Sequence, residues 1–97
     1  MPTYITLVNY TQKGIENIKE SPARLDKVKQ AMKAAGGEFK AFYLTMGHYD
    51  MVVISEAPND AVYATTMLAI GAAGAVRSET LKAFPEKEYR EIIATLP

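Results

Sequence analysis

The sequence predicts a single α+β domain over residues 1–97, with the order strand, helix, strand, strand, helix, strand and a further helix at the C-terminus. Three observations lead to this prediction. A chain of 97 residues suits one hydrophobic core. The composition, with 48% hydrophobic and 23% charged residues, is that of a globular protein. Segments with the two-residue period of strands alternate along the chain with segments of helical period.

The first strand is predicted over residues 3–10, which are rich in β-branched and aromatic side chains. Ile5 and Leu7 point to one face of this strand, while Tyr4 and Val8 point to the other. Residues 11–20 contain a glycine and predict a short helical segment that leads into the next element.

The first long helix is predicted to begin at Ser21–Pro22. A serine hydroxyl can cap free backbone N–H groups, and proline is tolerated in the first turn of a helix. Apolar side chains then recur at helical spacing and form one stripe: Leu25, Val28, Met32 and Ala35. Gly36–Gly37 predicts the end of the helix, because glycine is common just after a helix C-terminus.

Two strands joined by a turn are predicted next. Residues 38–46 carry apolar side chains on both faces, so we expect this strand to be buried on both sides. Residues 50–56 form a short third strand. The intervening turn, Gly47–Asp50, is typical of a β-hairpin, and glycine suits such a reversal because it adopts positive φ at low cost.

A second long helix is predicted from Asn59 or Asp60, either of which can cap it, to about Ala72. Apolar side chains project from almost every side of this helix, so we expect it to be covered on more than one side. Residues 75–84 then predict a fourth strand, and Pro85–Glu86 opens a last helix. The apolar edge of that helix consists of Tyr89, Ile92 and Ile93.

This order of elements is the split βαβ arrangement of ferredoxin-like folds, in which both long helices pack on one face of a four-stranded sheet. We expect the other face, called the open face below, to be apolar. Its predicted side chains are Phe39 or Phe42, Tyr43, and Tyr4 with Val8. Such a face indicates a partner surface or a ligand cavity. A second copy packed face to face would cover it and enclose a barrel-like interior, so we predict a homodimer or a larger homo-oligomer.

Composition narrows the classes of function. Eleven Lys and Arg balance eleven Asp and Glu, so no net field attracts the protein to nucleic acid or to a membrane surface. The absence of cysteine and of a secretion-signal pattern favours a cytoplasmic protein. The uncharged stretch 61–76 is too short and too rich in small residues to span a membrane. RNA-recognition domains share this element order, but the apolar third strand and zero net charge argue against nucleic-acid binding.

His48 is the only histidine and lies two residues from Asp50 in the predicted turn. Because imidazole titrates near neutral pH, this pair is the candidate for acid–base catalysis. The alternative is structural: Gly47 and Asp50 build the turn, with Asp50 accepting hydrogen bonds from turn amides, and His48 is simply exposed. No metal site is predicted, because a metal would need further ligands around the histidine. No cofactor is predicted either.

A pocket for a small apolar ligand has its own candidate residues: Tyr4, Tyr43, Tyr49 and Arg77. For Tyr49, packing across the hairpin is the favoured alternative. Arg77 shares one face of the fourth strand with Glu79 and Leu81. If that face is the open one, the charged pair requires a partner or a ligand. If that face points the other way, Arg77 and Glu79 are solvent-exposed charges without a functional role. The alternation of side chains along the strand leaves both possibilities open.

The turn Gly47–Asp50 resembles the Gly-x-Tyr-Asp signature of the GYD-domain family. The similarity covers most of the chain, through Tyr10–Thr11 with Gly14, Ser21–Pro22 with Arg24, and the segments 41–45, 56–60 and 76–81. The resemblance implies a dimeric α/β-barrel of the ferredoxin-like type, bacterial or archaeal, in a family mainly without an assigned activity. It implies no catalytic residue that can be carried over to this chain.

Two hypotheses of function follow. The first is a non-catalytic ligand-binding or assembly module that forms a homo-oligomer, with a small apolar cavity near the open face. It rests on the two-sided hydrophobicity of the second strand and of the second long helix. The second is a cofactor-independent enzyme of the dimeric-barrel type, an isomerase or a monooxygenase, that uses His48, Asp50 and tyrosine hydroxyls. This second hypothesis requires those polar groups to converge.

Overall fold

The computed structural model describes residues 1–97 and contains four strands and four α-helices. The elements are β1 (Thr3–Tyr10), α1 (Gln12–Glu16), α2 (Ser21–Ala34), β2 (Glu38–Leu44), β3 (Met51–Glu56), α3 (Asp60–Ala72), β4 (Val76–Ala83) and α4 (Glu86–Ala94), with a 3-10 turn at Ile18–Glu20. The strands form one antiparallel sheet in the order β2-β3-β1-β4. The predicted α+β, ferredoxin-like arrangement is therefore confirmed.

Local signals account for most helix ends. The Asn59 side chain accepts the backbone N–H of Val62 at 2.9 Å and caps α3, as predicted. Gly36, with φ of +85°, follows the end of α2. The predicted capping role of Ser21 is wrong, because Ser21 is already the first residue of α2. Its hydroxyl instead forms a hydrogen bond with the Tyr10 hydroxyl at 2.9 Å and so joins α2 to β1.

The helices cover the face of β1 that carries Tyr4, Thr6 and Val8, which are 2%, 3% and 8% exposed. The residues paired with them on β3 are also buried: Met51, Val53 and Ser55. The prediction that Tyr4 and Val8 lie on the open face is therefore wrong, and Ile5 and Leu7 lie there instead. The alternation itself was predicted correctly. A two-residue period fits both assignments equally well, so it does not reveal which face the helices cover.

β2 is an edge strand and pairs only with β3, in the predicted hairpin. None of its residues is fully buried, and Tyr43 and Leu44 are 60% and 72% exposed. The prediction of burial on both sides is thus wrong within one protomer. An edge strand has no neighbour on its outer side, and the open face carries no helix.

Two helices carry apolar side chains that the protomer leaves exposed. On α3, Tyr63 is buried and Met67 packs against it, whereas Leu68 is 75% exposed on the outer side. In and around α4, five apolar residues are between 43% and 62% exposed: Phe84, Tyr89, Ile92, Ile93 and Leu96. The predicted apolar edge of α4 exists, but the protomer does not bury it. Neither α3 nor any other helix has the length and apolarity needed to cross a membrane.

Candidate functional site

The signature turn Gly47–Asp50 connects β2 to β3 and is held by its own hydrogen bonds. Gly47 has φ of +136°, a conformation that L-residues rarely adopt. The Thr45 N–H donates to the Asp50 carbonyl at 2.8 Å, and the Thr45 hydroxyl donates to the Tyr49 carbonyl at 2.7 Å. These contacts give the turn a defined shape that depends on its backbone.

Asp50 joins this turn to the end of β1. Its carboxylate accepts the backbone N–H of Tyr10 at 2.9 Å. Its own N–H donates to the Val8 carbonyl at 2.9 Å and to the Asn9 side-chain oxygen at 3.1 Å. The sequence predicts that Asp50 accepts amides of its own turn. In the structure, the amide that donates to its carboxylate lies on β1 instead. Asp50 is thus engaged in linking β1 to the start of β3.

The structure places the two members of the predicted acid–base pair in different surroundings: His48 is exposed, and the Asp50 carboxylate accepts the Tyr10 N–H. His48 is exposed in the turn and does not line the main cleft of the protein, which is described below. The Tyr49 hydroxyl donates to Glu79 on β4 at 2.6 Å, and this hydrogen bond raises the pKa of Tyr49. Tyr49 therefore reaches β4 and is not confined to the hairpin. No group of three or more His, Asp or Glu side chains is placed to hold a metal ion.

The open face has an apolar centre to which all four strands contribute. Its residues are Ile5, Leu7, Ala41, Tyr43, Val52, Ile54 and Leu81. Leu81 is 47% exposed, and Tyr43 is more exposed still. Charged residues lie at one end, where the Lys40 ammonium is 3.3 Å from both Glu38 and Glu56. These two carboxylates, Glu38 first, raise the pKa of Lys40. The face therefore combines an apolar centre with a polar edge.

Arg77 and Glu79 lie at the other end of the open face. They share one side of β4 with Leu81, as predicted, and their pairing with β1 places that side on the open face. Glu79 binds Tyr49, while Arg77 has no carboxylate within 4.0 Å. The four predicted ligand-binding residues do not form one pocket, because Tyr4 lies under the helices, away from Tyr43, Tyr49 and Arg77.

Tyr4 belongs to a hydroxyl network beneath α3. Its ring stacks on Tyr63, with centroids 3.9 Å apart and planes 8° from parallel. Its hydroxyl donates to Asp60, which also pairs with Lys82 at 2.9 Å. Burial, followed by the bond to Asp60, raises the pKa of Tyr4 to about 12, and the same bond lowers the pKa of Asp60. The Tyr63 hydroxyl forms a hydrogen bond with Thr6.

A cleft of about 590 Å³ lies between α2, α3 and the sheet. Most of its lining is apolar, and the charged residues that line it are Arg24 and Lys27, both on α2. The sequence predicted a cavity near the open face, whereas this cleft lies on the opposite, helix-covered side. The available sequence signal was the i, i+3, i+6 spacing of Met67, Ile70 and Ala73, which line the cleft. That stripe was obscured because α3 is apolar all round.

The protein is a small ferredoxin-like domain with one uncovered apolar sheet face and a cleft under its helices. Residues 4–93 match the GYD domain family, and the chain belongs to this family. A Thermus thermophilus protein described as "Glutamine synthetase and cystathionine beta-lyase binding protein" is 36% identical over 86 residues, which are 88% of this chain and 90% of that protein. The crystal structure of TTHA0845 from Thermus thermophilus has a TM-score of 0.56 and 21% identity, covers 88% of this chain and 95% of its own, and shares the fold.

Proposed function

We propose that this protein is a homo-oligomeric binding module of the cytoplasm, in which two copies pair through their open faces and the assembly binds another protein. The apolar centre of the open face is the observation that carries this proposal. A second copy suits the face because two-fold pairing brings the two apolar centres together. The charged residues at its ends then lie at the rim, the usual arrangement in protein interfaces.

The relative from Thermus thermophilus supports a protein as the further partner, since its name describes binding to two enzymes. We extend this role to the present chain and propose an enzyme of amino-acid metabolism as its partner. Apolar surfaces remain available for such a contact after the open faces pair, namely the outer side of α3 around Leu68 and the edge of α4. The cleft under the helices provides room for a small apolar ligand.

The alternative of a dimeric-barrel isomerase or monooxygenase has no comparable support. It requires His48, Asp50 and tyrosine hydroxyls to converge on one substrate. In the protein His48 is exposed, Asp50 accepts a backbone amide, and Tyr4 donates to Asp60 on the other side of the sheet. The geometry therefore favours binding over catalysis.

Light scattering after size-exclusion chromatography tests the self-association. The wild-type protein should have the mass of a dimer or of a multiple of dimers. Leu81→Glu should shift it toward the monomer, because an unpaired carboxylate would be buried in the apolar centre of the interface. Leu68→Glu is the matched control on the outer side of α3 and should leave the mass unchanged. A wild-type protein that stays monomeric at micromolar concentration would contradict the proposed pairing.

Calorimetric titration tests the further partner. The two enzymes, glutamine synthetase and cystathionine β-lyase, are purified from the organism that produces the present protein and are titrated with it. An unrelated enzyme of similar net charge serves as the control. Binding to at least one of the two enzymes is expected. Heats equal to those of the control for both would reject the proposed partner class, while the mass measurement would still decide the self-association.

A further inference from the structure

We propose that the cleft between α2 and α3 binds a free long-chain carboxylic acid, with the acyl chain inside the cleft and the carboxylate beside Lys27 and Arg24. This proposal deepens the ligand-binding part of the proposed function, and it does not depend on the pairing of the open faces. It rests on the lining of the cleft, on its shape and on its charge.

The lining suits an apolar ligand body. A volume of about 590 Å³ lies within the range of small-ligand pockets, roughly 300–1,000 Å³. Four of the five hydroxyl groups in the lining are already hydrogen-bonded within the protein: Thr6 to Tyr63, Ser21 to Tyr10, Thr65 to the Ala61 carbonyl and Thr66 to the Val62 carbonyl. The cleft wall therefore presents mainly carbon to its occupant, which favours a hydrocarbon over a polar molecule.

The cleft is elongated. Along α2 its lining extends from Ser21 to Met32, a distance of about 16 Å at the helical rise per residue. On β1 the lining includes Thr6 but not Tyr4, whose ring stacks on Tyr63. A mainly apolar space of this length can accommodate an extended acyl chain.

The charge of the lining selects an anion. Arg24 and Lys27 lie three residues apart on α2, and therefore on one side of the helix, and no Asp or Glu lines the cleft. Lys27 is exposed and has no carboxylate within 4.0 Å. Arg24 donates to the carbonyls of Asn17 and Gly14 at 3.2 and 3.3 Å.

Arg24 is also partly neutralised, since its guanidinium lies 3.7 Å from the exposed carboxylate of Glu20. Lys27 is therefore the residue that contacts the ligand carboxylate, and Arg24 adds positive potential beside it. A cationic or zwitterionic ligand would meet no counter-charge in this lining.

Isothermal titration with laurate and with lauryl alcohol tests the proposal. Both probes carry the same chain, but only laurate carries the charge. We expect laurate to bind about tenfold more tightly than the alcohol, because one charge-assisted hydrogen bond typically changes the affinity by about this factor. Lys27→Glu should remove this difference, whereas Lys33→Glu, on the same helix but outside the cleft, should preserve it.

A second pair of variants tests the location. Ile70→Trp replaces an aliphatic side chain of the cleft with a larger aromatic one and should weaken the binding of both probes about tenfold or more. Leu68→Trp, on the outer side of α3, should leave both affinities unchanged. Circular dichroism establishes that each variant is folded. If Ile70→Trp does not fold, the exposed Lys27→Glu still decides the question.

Equal affinity for the two probes, equal behaviour of Lys27→Glu and Lys33→Glu, or no binding of laurate would each overturn the proposal. Binding to phosphatidylglycerol vesicles without binding of free laurate would also overturn the proposal, because the protein would then recognise a membrane lipid and not a free carboxylic acid. A monomeric wild-type protein that binds laurate would contradict the self-association alone. A dimer that does not bind laurate would contradict this site alone.

Discussion

The signature turn leads to a prediction that separates a structural role from a catalytic one. The Asp50 carboxylate accepts the Tyr10 N–H at 2.9 Å, and both residues are partly buried. Asp50→Ala removes the acceptor and leaves this amide without a protein partner. Asp50→Asn retains a neutral side-chain oxygen at the same position. His48→Ala, two residues away, changes a side chain that is exposed.

The expected magnitudes follow from these contacts. A hydrogen bond to a charged group contributes roughly 1.5–3 kcal/mol. Because the pair is only partly buried, we expect Asp50→Ala to lower the free energy of unfolding by about 1.5–2 kcal/mol. In a domain of this size such a loss lowers the melting temperature by roughly 6–16 °C. Asp50→Asn should cost about 1 kcal/mol, because a neutral acceptor remains, and His48→Ala should stay within about 0.5 kcal/mol.

Urea unfolding followed by circular dichroism measures these differences. All variants are compared at one protomer concentration, because the proposed self-association would make apparent stability depend on concentration. The dependence of the free energy on urea should stay constant, so that a shifted midpoint reports stability. The structural account of the signature fails if Asp50→Ala is as stable as the wild-type protein, or if His48→Ala is as destabilising as Asp50→Ala.

Three further predictions concern the protein interior. Gly14→Ala would place a Cβ 2.1 Å from the Ala75 carbonyl oxygen and should lower the free energy of unfolding in urea by about 2–3 kcal/mol. Gly71→Ala, which has open space around it in α3, should raise that free energy by about 0.5–1 kcal/mol. Similar effects of the two substitutions would contradict this steric argument. The Ser55 hydroxyl is fully buried without a partner, so Ser55→Ala should leave the free energy of unfolding unchanged or raise it by about 1 kcal/mol, and a clear loss would show that the hydroxyl is satisfied. Because folding raises the pKa of Tyr4 from 10.0 to about 12, the stability it contributes is complete below pH 10.0 and is lost as the pH rises toward 12. Tyr4→Phe should flatten the pH dependence of unfolding over that interval, and an unchanged slope would refute this assignment.

The elements of the fold were largely predictable because their signals are local. The predicted bounds of β1 agree with the structure, and the cap of α3 and the glycine after α2 were predicted from residues a few positions apart. The predictions were wrong where one polar side chain could form either a local hydrogen bond or one to a distant element. The Ser21 hydroxyl was expected to cap its own helix, but it binds Tyr10 on β1. Residues distant in the chain compete for such polar groups, and their positions follow from the tertiary fold.

The candidate site was less predictable, for the same reason. Asp50 was expected to bond within its turn, yet it accepts an amide from β1. Glu79 shares one face of β4 with Arg77, yet it accepts the Tyr49 hydroxyl. The two cations beside the cleft, Arg24 and Lys27, follow from their position on α2 opposite α3. No spacing along the chain reports the distance between two helices.

The sequence by itself determined the succession of strands and helices and the presence of more apolar side chains than one sheet and its helices can bury. Only the tertiary structure decided which side of β1 the helices cover, which strands lie at the edges, and that the cleft lies opposite the open face. Side-chain periodicity arises from the geometry of adjacent residues, so it survives in the linear chain. The side on which an element is buried depends on its neighbours in space, and these are chosen by packing over the whole domain.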